Sequence, residues 1–319
     1  MLLKRLTMAV FVTVTMAAAG GAQILNPPFP FPFPFAPSGP PEIDHFHCYF
    51  AVSPIQPVAV QLQDQFDVAL QITENITDLR AVRLCNPVQK NIVSVNYFTG
   101  TVNLGPTTPI NHPADHLVLY LMNPQPITPV QVYVENQFGF QTLNTRDAIA
   151  LAVPSGKVLP NPNNPSGAPE LPPIPTDLNH FKCYSTSGSA VSRIVFLQDQ
   201  FQSVVEEVLD PILFCNPVQK TVTTVAADGT TSSTVTPIVD PVAHLTCYTV
   251  TPRPFQALAY YNNQFVAPGT APSLTVLQSD ILCAPSYKLR WSVIPPPNIT
   301  VPGTVAGSDL RNNPLVRQQ

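Results

Sequence analysis

Charged side chains are scarce in this sequence. Asp, Glu, Lys and Arg make up 11% of its 319 residues, whereas about 25% is usual in globular proteins. The formal net charge is −4, and outside the N-terminal region there is no cluster of Lys and Arg. Surfaces that bind nucleic acids or acidic membranes need such a cluster. We therefore expect neither of these as a partner.

The common signatures of enzymes and metal sites are also missing. The sequence has no Gly-x-Ser-x-Gly, no His-Glu-x-x-His and no phosphate-binding loop. It has no Cys-x-x-Cys pair, which disfavours zinc, and its acidic residues are too scattered for a calcium site. We expect no catalytic residue, no metal and no cofactor. Apart from the N-terminal segment, no stretch of about 18 apolar residues is present, so no integral membrane segment is expected after residue 22.

The first 22 residues have the features of a secretory signal peptide. Lys4 and Arg5 form a basic region, and an apolar stretch follows from Leu6 to Ala19. Small residues up to Ala22 then offer a cleavage site. We expect a secreted protein, extracellular or periplasmic, in a compartment where disulfides are chemically reasonable. A retained membrane anchor is the alternative.

Proline, in contrast, is abundant. The chain has 39 prolines, more than twice the usual share of about 5%. Many lie in residues 23–43, where Pro alternates with Phe, and in residues 158–176 near the middle of the chain. Both segments favour polyproline II. We interpret residues 23–43 as a stiff stalk, or alternatively as a docking peptide, and residues 158–176 as a semi-rigid linker. Residues 292–319 are predicted to be a flexible tail.

One template occurs four times between these segments. It reads His-apolar-x-Cys-Tyr, then an apolar stretch that ends in Gln-Phe, then Cys-x-Pro-x-x-Lys. We number its copies in chain order as segments one to four, which cover residues 45–90, 116–157, 180–220 and 244–288.

The segments are themselves arranged as a duplicated pair. Cys48 and Cys183 are 135 positions apart, and His116 and His244 are 128 apart. A nearly constant offset indicates that a two-segment unit was duplicated. We therefore predict two tandem domains, residues 44–157 and 177–291, which the proline-rich linker holds apart.

The six cysteines fit the template as three local disulfides. The predicted pairs are Cys48–Cys85, Cys183–Cys215 and Cys247–Cys283. In segment two, Leu119 and Ala152 occupy the two cysteine positions. Joint loss supports a disulfide, because a single remaining thiol would have no partner. Each bond would close a loop of about 32 to 37 residues and contribute at most roughly 4 kcal/mol.

The apolar residues alternate with period two. Val130, Val132 and Val134 fall on one face of an extended chain, as expected of a half-buried strand. In the cysteine strand, Cys48 faces one way and Tyr49 the other. The fold is therefore predicted to be mainly β, with two tandem antiparallel domains, each built from two related sandwich-like halves with disulfides.

Turns and helices are less clearly indicated. Thr99-Gly100 and Asp228-Gly229 are predicted to be the turns of two hairpins that follow segments one and three. Helical periodicity is weak, and only Ser203 to Leu209 and Asp78 to Leu84 are compatible with short helical turns.

A histidine opens every segment, and a Gln-Phe pair lies in its middle. Four copies of a histidine, at His45, His116, His180 and His244, fit a structural role better than a single catalytic centre. We expect each to bond the backbone of an adjacent strand or loop, with metal or proton chemistry as the alternative. The Phe is predicted to lie in the core, and the Asp or Asn two positions before it to make local turn bonds.

Three motifs together resemble a known type of domain. His-Phe-Lys-Cys-Tyr at residues 180–184, Leu-Gln-Asp-Gln-Phe at residues 62–66 and Leu-Cys-Asn-Pro-Val-Gln-Lys at residues 84–90 are similar to an uncharacterised repeat family of secreted bacterial proteins. The resemblance covers both predicted domains and implies an exported bacterial protein with tandem repeats. It implies no activity, ligand or catalytic residue, and segment two departs from it by lacking both cysteines.

These observations favour a non-catalytic protein. We expect a secreted binding or structural module for an extracellular or envelope ligand, either a protein or a glycan. Two similar heads on a stiff linker would raise avidity. The alternative is an extracellular hydrolase with a site between the halves of one domain.

Overall fold

The computed structural model of the protein describes residues 43–96, 98–161, 169–225, 228–267 and 269–294. The predicted signal peptide, almost the whole stalk, the middle of the linker and nearly all of the tail lie outside the described residues.

The strands follow the four segments. Segment one contains β1 (His45–Val52), β2 (Ile55–Gln63), α1 (Gln65–Leu70) and β3 (Glu74–Asn96), and β4 (Thr101–Thr108) comes after it. Segment two contains β5 (His116–Gln125), β6 (Val130–Asn136) and β7 (Gly139–Val158). Segment three contains β8 (Phe181–Ser187), β9 (Arg193–Gln198) and β10 (Ser203–Pro217), followed by β11 (Gln219–Val225) and β12 (Thr231–Thr236). Segment four contains β13 (His244–Asn262) and β14 (Ser273–Val293).

Eight antiparallel strands form a closed ring. Their order is β1, β14, β13, β10, β8, β7, β5 and β3, and β3 pairs back with β1. Each segment contributes two adjacent strands, and the segments follow one another around the ring in chain order. Closure gives each of these strands two neighbours, so that the ring itself has no free edge.

The mainly β, antiparallel class is confirmed, but the arrangement as two tandem domains is not. β14 from the second half pairs with β1 from the first, with Ile281 opposite Cys48. β7 and β8 pair across the other boundary, with Lys182 opposite Leu151. Half a ring would leave unpaired backbone groups along two strand edges, and pairing between the halves satisfies them.

The described part of the linker lies against the ring. Pro172 and Pro173 cross β7 at Gly156, where a Cβ atom would lie 2.4 Å from the carbonyl oxygen of Pro172. This close approach explains the glycine at position 156, because a larger residue would push the linker away from the strand.

The interior of the ring is a closed apolar core that contains all three disulfides. The bonds are Cys48–Cys85, Cys183–Cys215 and Cys247–Cys283, the pairing that the template predicts. In every case the two cysteines lie directly opposite each other on neighbouring strands. Leu119 and Ala152 face each other in the same register and join the same core. Segment two therefore fills the position of the disulfide with hydrocarbon.

Four outer strands cover the ring and connect opposite segments. Each pairs with the long strand of its own segment and with a strand from the segment across the ring. The second set of pairs is β2 with β11, β6 with β14, β9 with β3, and the C-terminal part of β13 with β7. The larger core fills the space between the ring and these outer strands and contains Phe66, Tyr120 and Tyr184.

The two predicted hairpins are confirmed, whereas the two predicted helical turns are wrong. Both hairpins are present, β3–β4 and β11–β12, and Gly100 and Gly229 adopt positive φ angles of 66° and 82° at their turns. Ser203 to Leu209 is not helical but part of β10, and Ser203 to Val208 pair with β9. Asp78 to Leu84 is likewise part of β3. The described residues contain one short helix, α1, which starts at the N-cap Asp64.

Candidate functional site

The four Gln-Phe turns lie between the ring and the outer strands and take part in a continuous set of polar contacts. We call this set the polar belt. It consists, in every segment, of the Asp or Asn and the Gln of the turn, the His and Tyr of the cysteine strand, and the Lys that ends the segment.

In each turn the Asp or Asn side chain caps the backbone, as predicted. It accepts a hydrogen bond from the N–H group of the Phe two residues later. The four bonds are Phe66 to Asp64 at 2.8 Å, Phe138 to Asn136 at 2.9 Å, Phe201 to Asp199 at 2.6 Å and Phe265 to Asn263 at 3.0 Å. This fixes the end of each outer strand.

The same side chain also bonds the tyrosine of the opposite segment. Tyr184 donates to Asp64 and Tyr49 to Asp199, both at 2.8 Å. In the other two segments the amide donates to the tyrosine hydroxyl, from Asn136 to Tyr248 at 2.8 Å and from Asn263 to Tyr120 at 3.0 Å. Segments one and three, and segments two and four, are therefore connected across the ring through buried tyrosines.

The turn glutamine contacts the histidine of a neighbouring segment. Gln65 Nε2 lies 2.8 Å from His244 Nε2, and Gln137 Nε2 lies 3.4 Å from His45 Nδ1. Gln264 bonds His180, and Gln200 bonds His116. His116 and His244 also bond the backbone carbonyls of Ala114 and Val242 at 2.9 and 2.8 Å. In segments two and four the histidine therefore bonds a backbone carbonyl, as expected. In all four segments it also contacts the side chain of a turn glutamine.

Each belt lysine lies over the turn phenylalanine of the following segment. The pairs are Lys90 with Phe138, Lys157 with Phe201, Lys220 with Phe265 and Lys288 with Phe66, at 4.1 to 4.8 Å from Nζ to the ring centroid. These are cation–π contacts whenever the amine is protonated.

Burial weakens the positive charge of the belt. Desolvation lowers the pKa of Lys90 to about 6 and that of Lys157, Lys220 and Lys288 to about 7. Burial and the nearby lysine also lower the pKa of each segment histidine, to about 3 in His116 and His180. These histidines are neutral at pH 7 and are suited to hydrogen bonding.

Segments one and three carry two additional charged networks. In the first, His47 Nδ1 lies 2.9 Å from Asp199 and its Nε2 lies 3.3 Å from Glu206, with all three side chains fully buried or nearly so. Burial disfavours the charged imidazole, but the hydrogen bonds and charges of the two acids outweigh it and raise the pKa of His47 to about 9. Ser279 donates to Glu206 at 2.5 Å.

The second network surrounds Lys182, which occupies the template position of His47. Its Nζ lies 2.6 Å from Asp67 and 2.5 Å from Glu74. Desolvation opposes the charge of Lys182, but the neighbouring Asp64, Asp67 and Glu74 raise its pKa. Burial and the charge of Asp64 raise the pKa of Asp67 to about 7. Lys182 is therefore surrounded by three acidic side chains, so that the acids in this network outnumber the cation.

Neither network is open to a small-molecule substrate. His47 and Lys182 have no exposed side-chain surface. A depression beside β7 is shallow and is lined by Lys157, Val158 and residues 170–173. The part of the chain that the structure describes holds no group of three or more His, Cys, Asp or Glu side chains that could bind a metal ion. Within the same residues, no helix has the length and apolar composition needed to cross a membrane.

Comparison with known proteins gives no family to assign. No protein-family model, no curated protein and no solved structure matches this chain. The resemblance to secreted bacterial repeat proteins therefore stays a prediction.

The sequence of a single segment does not predict the contacts between segments. A comparison of the four segments, however, shows a correlation between two of the positions that make these contacts. Where the turn residue is Asp, in segments one and three, the residue after the second cysteine position is Asn86 or Asn216. Where the turn residue is Asn, in segments two and four, that residue is Val153 or Ala284, and a serine, Ser155 or Ser286, lies two positions later. Hydrogen bonds join Asn216 to Asp64, Ser286 to Asn136 and Ser155 to Asn263.

Proposed function

We propose that this protein is a secreted, non-catalytic binding or structural module that acts at the cell surface or outside the cell. The main supporting observation is that the two charged networks are buried and internally paired. Their ionisable groups hold opposite segments together and present no acid, base or nucleophile to a substrate. Three disulfides inside the ring suit an oxidising compartment.

The two hairpins are the surface elements that best fit a binding role. Among the described residues, β4 pairs only with β3 and β12 only with β11, so each has a free backbone edge. The hairpins expose Phe98, Leu104 and Val235. A free strand edge with apolar side chains favours an extended protein segment that adds as a further strand.

Retention of the purified full chain on whole cells or envelope fractions tests this function. We expect the double substitution Leu104→Lys with Val235→Lys to lower retention about tenfold or more, which corresponds to roughly 1.4 kcal/mol. Leu289→Lys is the matched control, because Leu289 is similarly exposed but lies on β14.

Two results would contradict the proposal. Turnover of a glycan, peptide or ester by the purified protein would establish the hydrolase alternative. Equal retention of the double variant and the wild type would show that the hairpin edges are not the binding surface, and competition by soluble glycans would then identify a glycan ligand.

A further inference from the structure

Two of the four belt lysines contact an asparagine amide. Lys157 Nζ donates to Oδ1 of Asn86, and Lys288 Nζ lies 3.4 Å from Oδ1 of Asn216. The lysines lie on β7 and β14, and the asparagines on β3 and β10. Each contact therefore spans one intervening ring strand, β5 in the first case and β13 in the second.

A carboxylate accompanies both pairs. Asn216 Nδ2 donates to Asp64 Oδ2 at 3.0 Å, and the charge of Asp64 also acts on Lys288. At the other pair, the charge of Asp199 acts on Lys157. Asn86 Nδ2 is buried there and has no hydrogen-bond partner in the described structure.

The surroundings favour a nucleophilic amine. Lys157 and Asn86 are buried, and the aromatic rings of Phe201 and Phe66 lie over Lys157 and Lys288. Desolvation lowers the pKa of both lysines to about 7. A large share of each side chain is then the neutral amine at physiological pH, which is the reactive form.

We propose that Lys157 forms an isopeptide bond with Asn86, and Lys288 one with Asn216. The neutral Nζ attacks the amide carbon Cγ, and the new C–N bond forms as the bond from Cγ to Nδ2 breaks. One proton of the attacking amine passes through the neighbouring carboxylate, Asp199 or Asp64, to the departing nitrogen. The products are one secondary amide and one ammonia, so the reaction needs no oxidant, cofactor or second substrate.

The residue that follows each asparagine suppresses a competing reaction. Asparagine also loses ammonia when the next backbone nitrogen attacks its side chain. Pro87 and Pro217 follow Asn86 and Asn216, and proline has no backbone N–H with which to complete that reaction. The lysine amine is therefore the nucleophile available to each side chain.

The two bonds would connect neighbouring segments. Asn86 to Lys157 joins segment one to segment two, which has no disulfide, and Asn216 to Lys288 joins segment three to segment four. Lys90 and Lys220 offer an internal comparison. Each has no hydrogen-bond partner in the described residues, and the positions equivalent to Asn86 in segments four and two are Ala284 and Val153, which carry no side-chain amide.

Mass spectrometry of the full chain after reduction and denaturation tests the proposal. We expect the wild type to yield two branched peptides, one with Asn86 linked to Lys157 and one with Asn216 linked to Lys288, each lighter by one ammonia. Fragmentation places the loss on these residues and separates it from ammonia lost elsewhere in the chain.

Single substitutions test which asparagine forms each isopeptide bond. Asn86→Ser, which removes the side-chain amide, should abolish the first branched peptide and keep the second. Asn216→Ser should do the reverse. Lys90→Gln is the control and should leave both. Recovery of Asn86 and Lys157, and of Asn216 and Lys288, in separate linear peptides of the folded wild type would overturn the proposal, whether or not the variants fold.

Discussion

At the scale of single residues, buried ionisable groups follow two different rules in this protein. Basic groups with two or more acids beside them keep their charge, as do His47 and Lys182. Groups whose partners are amides, carbonyls or aromatic rings tend toward the neutral form, as do His116 and Lys220. Desolvation acts on all of them, and the nearby acids decide which form prevails.

Replacing His47 with glutamine should destabilise the protein more at pH 6 than at pH 10. The folded pKa of His47, about 9, lies above the ordinary histidine pKa of 6.5. This contribution to stability is therefore complete below pH 6.5 and disappears as the pH rises through about 9. The shift in the pKa of His47 corresponds to a contribution of about 3 kcal/mol to the free energy of unfolding at low pH. Urea unfolding of wild type and variant at both pH values measures the difference.

His112→Gln is the control for this measurement, because His112 is partly exposed. Its effect on unfolding should be small at both pH values. A cost of His47→Gln that is the same at pH 6 and pH 10 would show that the imidazolium charge contributes nothing.

Replacing His116 with alanine should cost about 1–3 kcal/mol, because the carbonyl of Ala114 and the side chain of Gln200 lose a buried partner. Chemical denaturation measures this cost. Metal analysis of the purified wild type and variant is the parallel test. Stoichiometric zinc or copper that is lost with His116 would contradict the structural role.

At the scale of strands, register decides which positions can hold a disulfide. The three bonded pairs lie directly opposite each other with Cα–Cα distances of 3.9 to 4.0 Å. Leu119 and Ala152 occupy the equivalent register on β5 and β7. A cross-strand pair in this position faces the closed apolar core, where either a disulfide or a pair of apolar side chains can pack.

The substitutions Leu119→Cys and Ala152→Cys together should therefore create a fourth disulfide. The loop it closes is similar in length to the three natural ones, and the expected gain is at most about 4 kcal/mol, reduced by any imperfect packing of the smaller side chains. Thiol titration of the unfolded protein and urea unfolding check the two parts of this prediction.

The reverse exchange is the matched control. Cys48→Leu with Cys85→Ala copies the arrangement of segment two and should fold, with a loss of about 2–4 kcal/mol. Two free thiols in the Leu119→Cys, Ala152→Cys variant would mean that the strands are not in the register described.

At the scale of the whole molecule, ring closure makes the two halves depend on each other. Strand pairs β1–β14 and β7–β8 join them directly. The outer strand β2 pairs with β11, and Lys182 is neutralised by acids from the opposite half. An isolated half would expose two strand edges and several unpaired buried groups.

Residues 43–161 and 169–294 expressed separately should therefore not fold into stable monomers. Circular dichroism and amide exchange of each fragment test this, with the full chain as the reference. We expect the two fragments, when mixed, to recover the signal of the full chain. A fragment that unfolds cooperatively by itself would show that the half is an independent domain.

Four features could be predicted from the amino-acid order alone: the repeat, the strand character of each segment, the disulfide pairing, and the turn role of Asp64 and its counterparts. These features are local or periodic, and each repeats often enough to be recognised within a single chain. The closure of the four segments into one ring, and the bonds from the turn residues to the tyrosine of the opposite segment, could be seen only in the folded protein. Alternation of apolar residues says which face of a strand is buried but not which strand lies beside it. The partner across each edge is therefore settled by closure of the whole sheet.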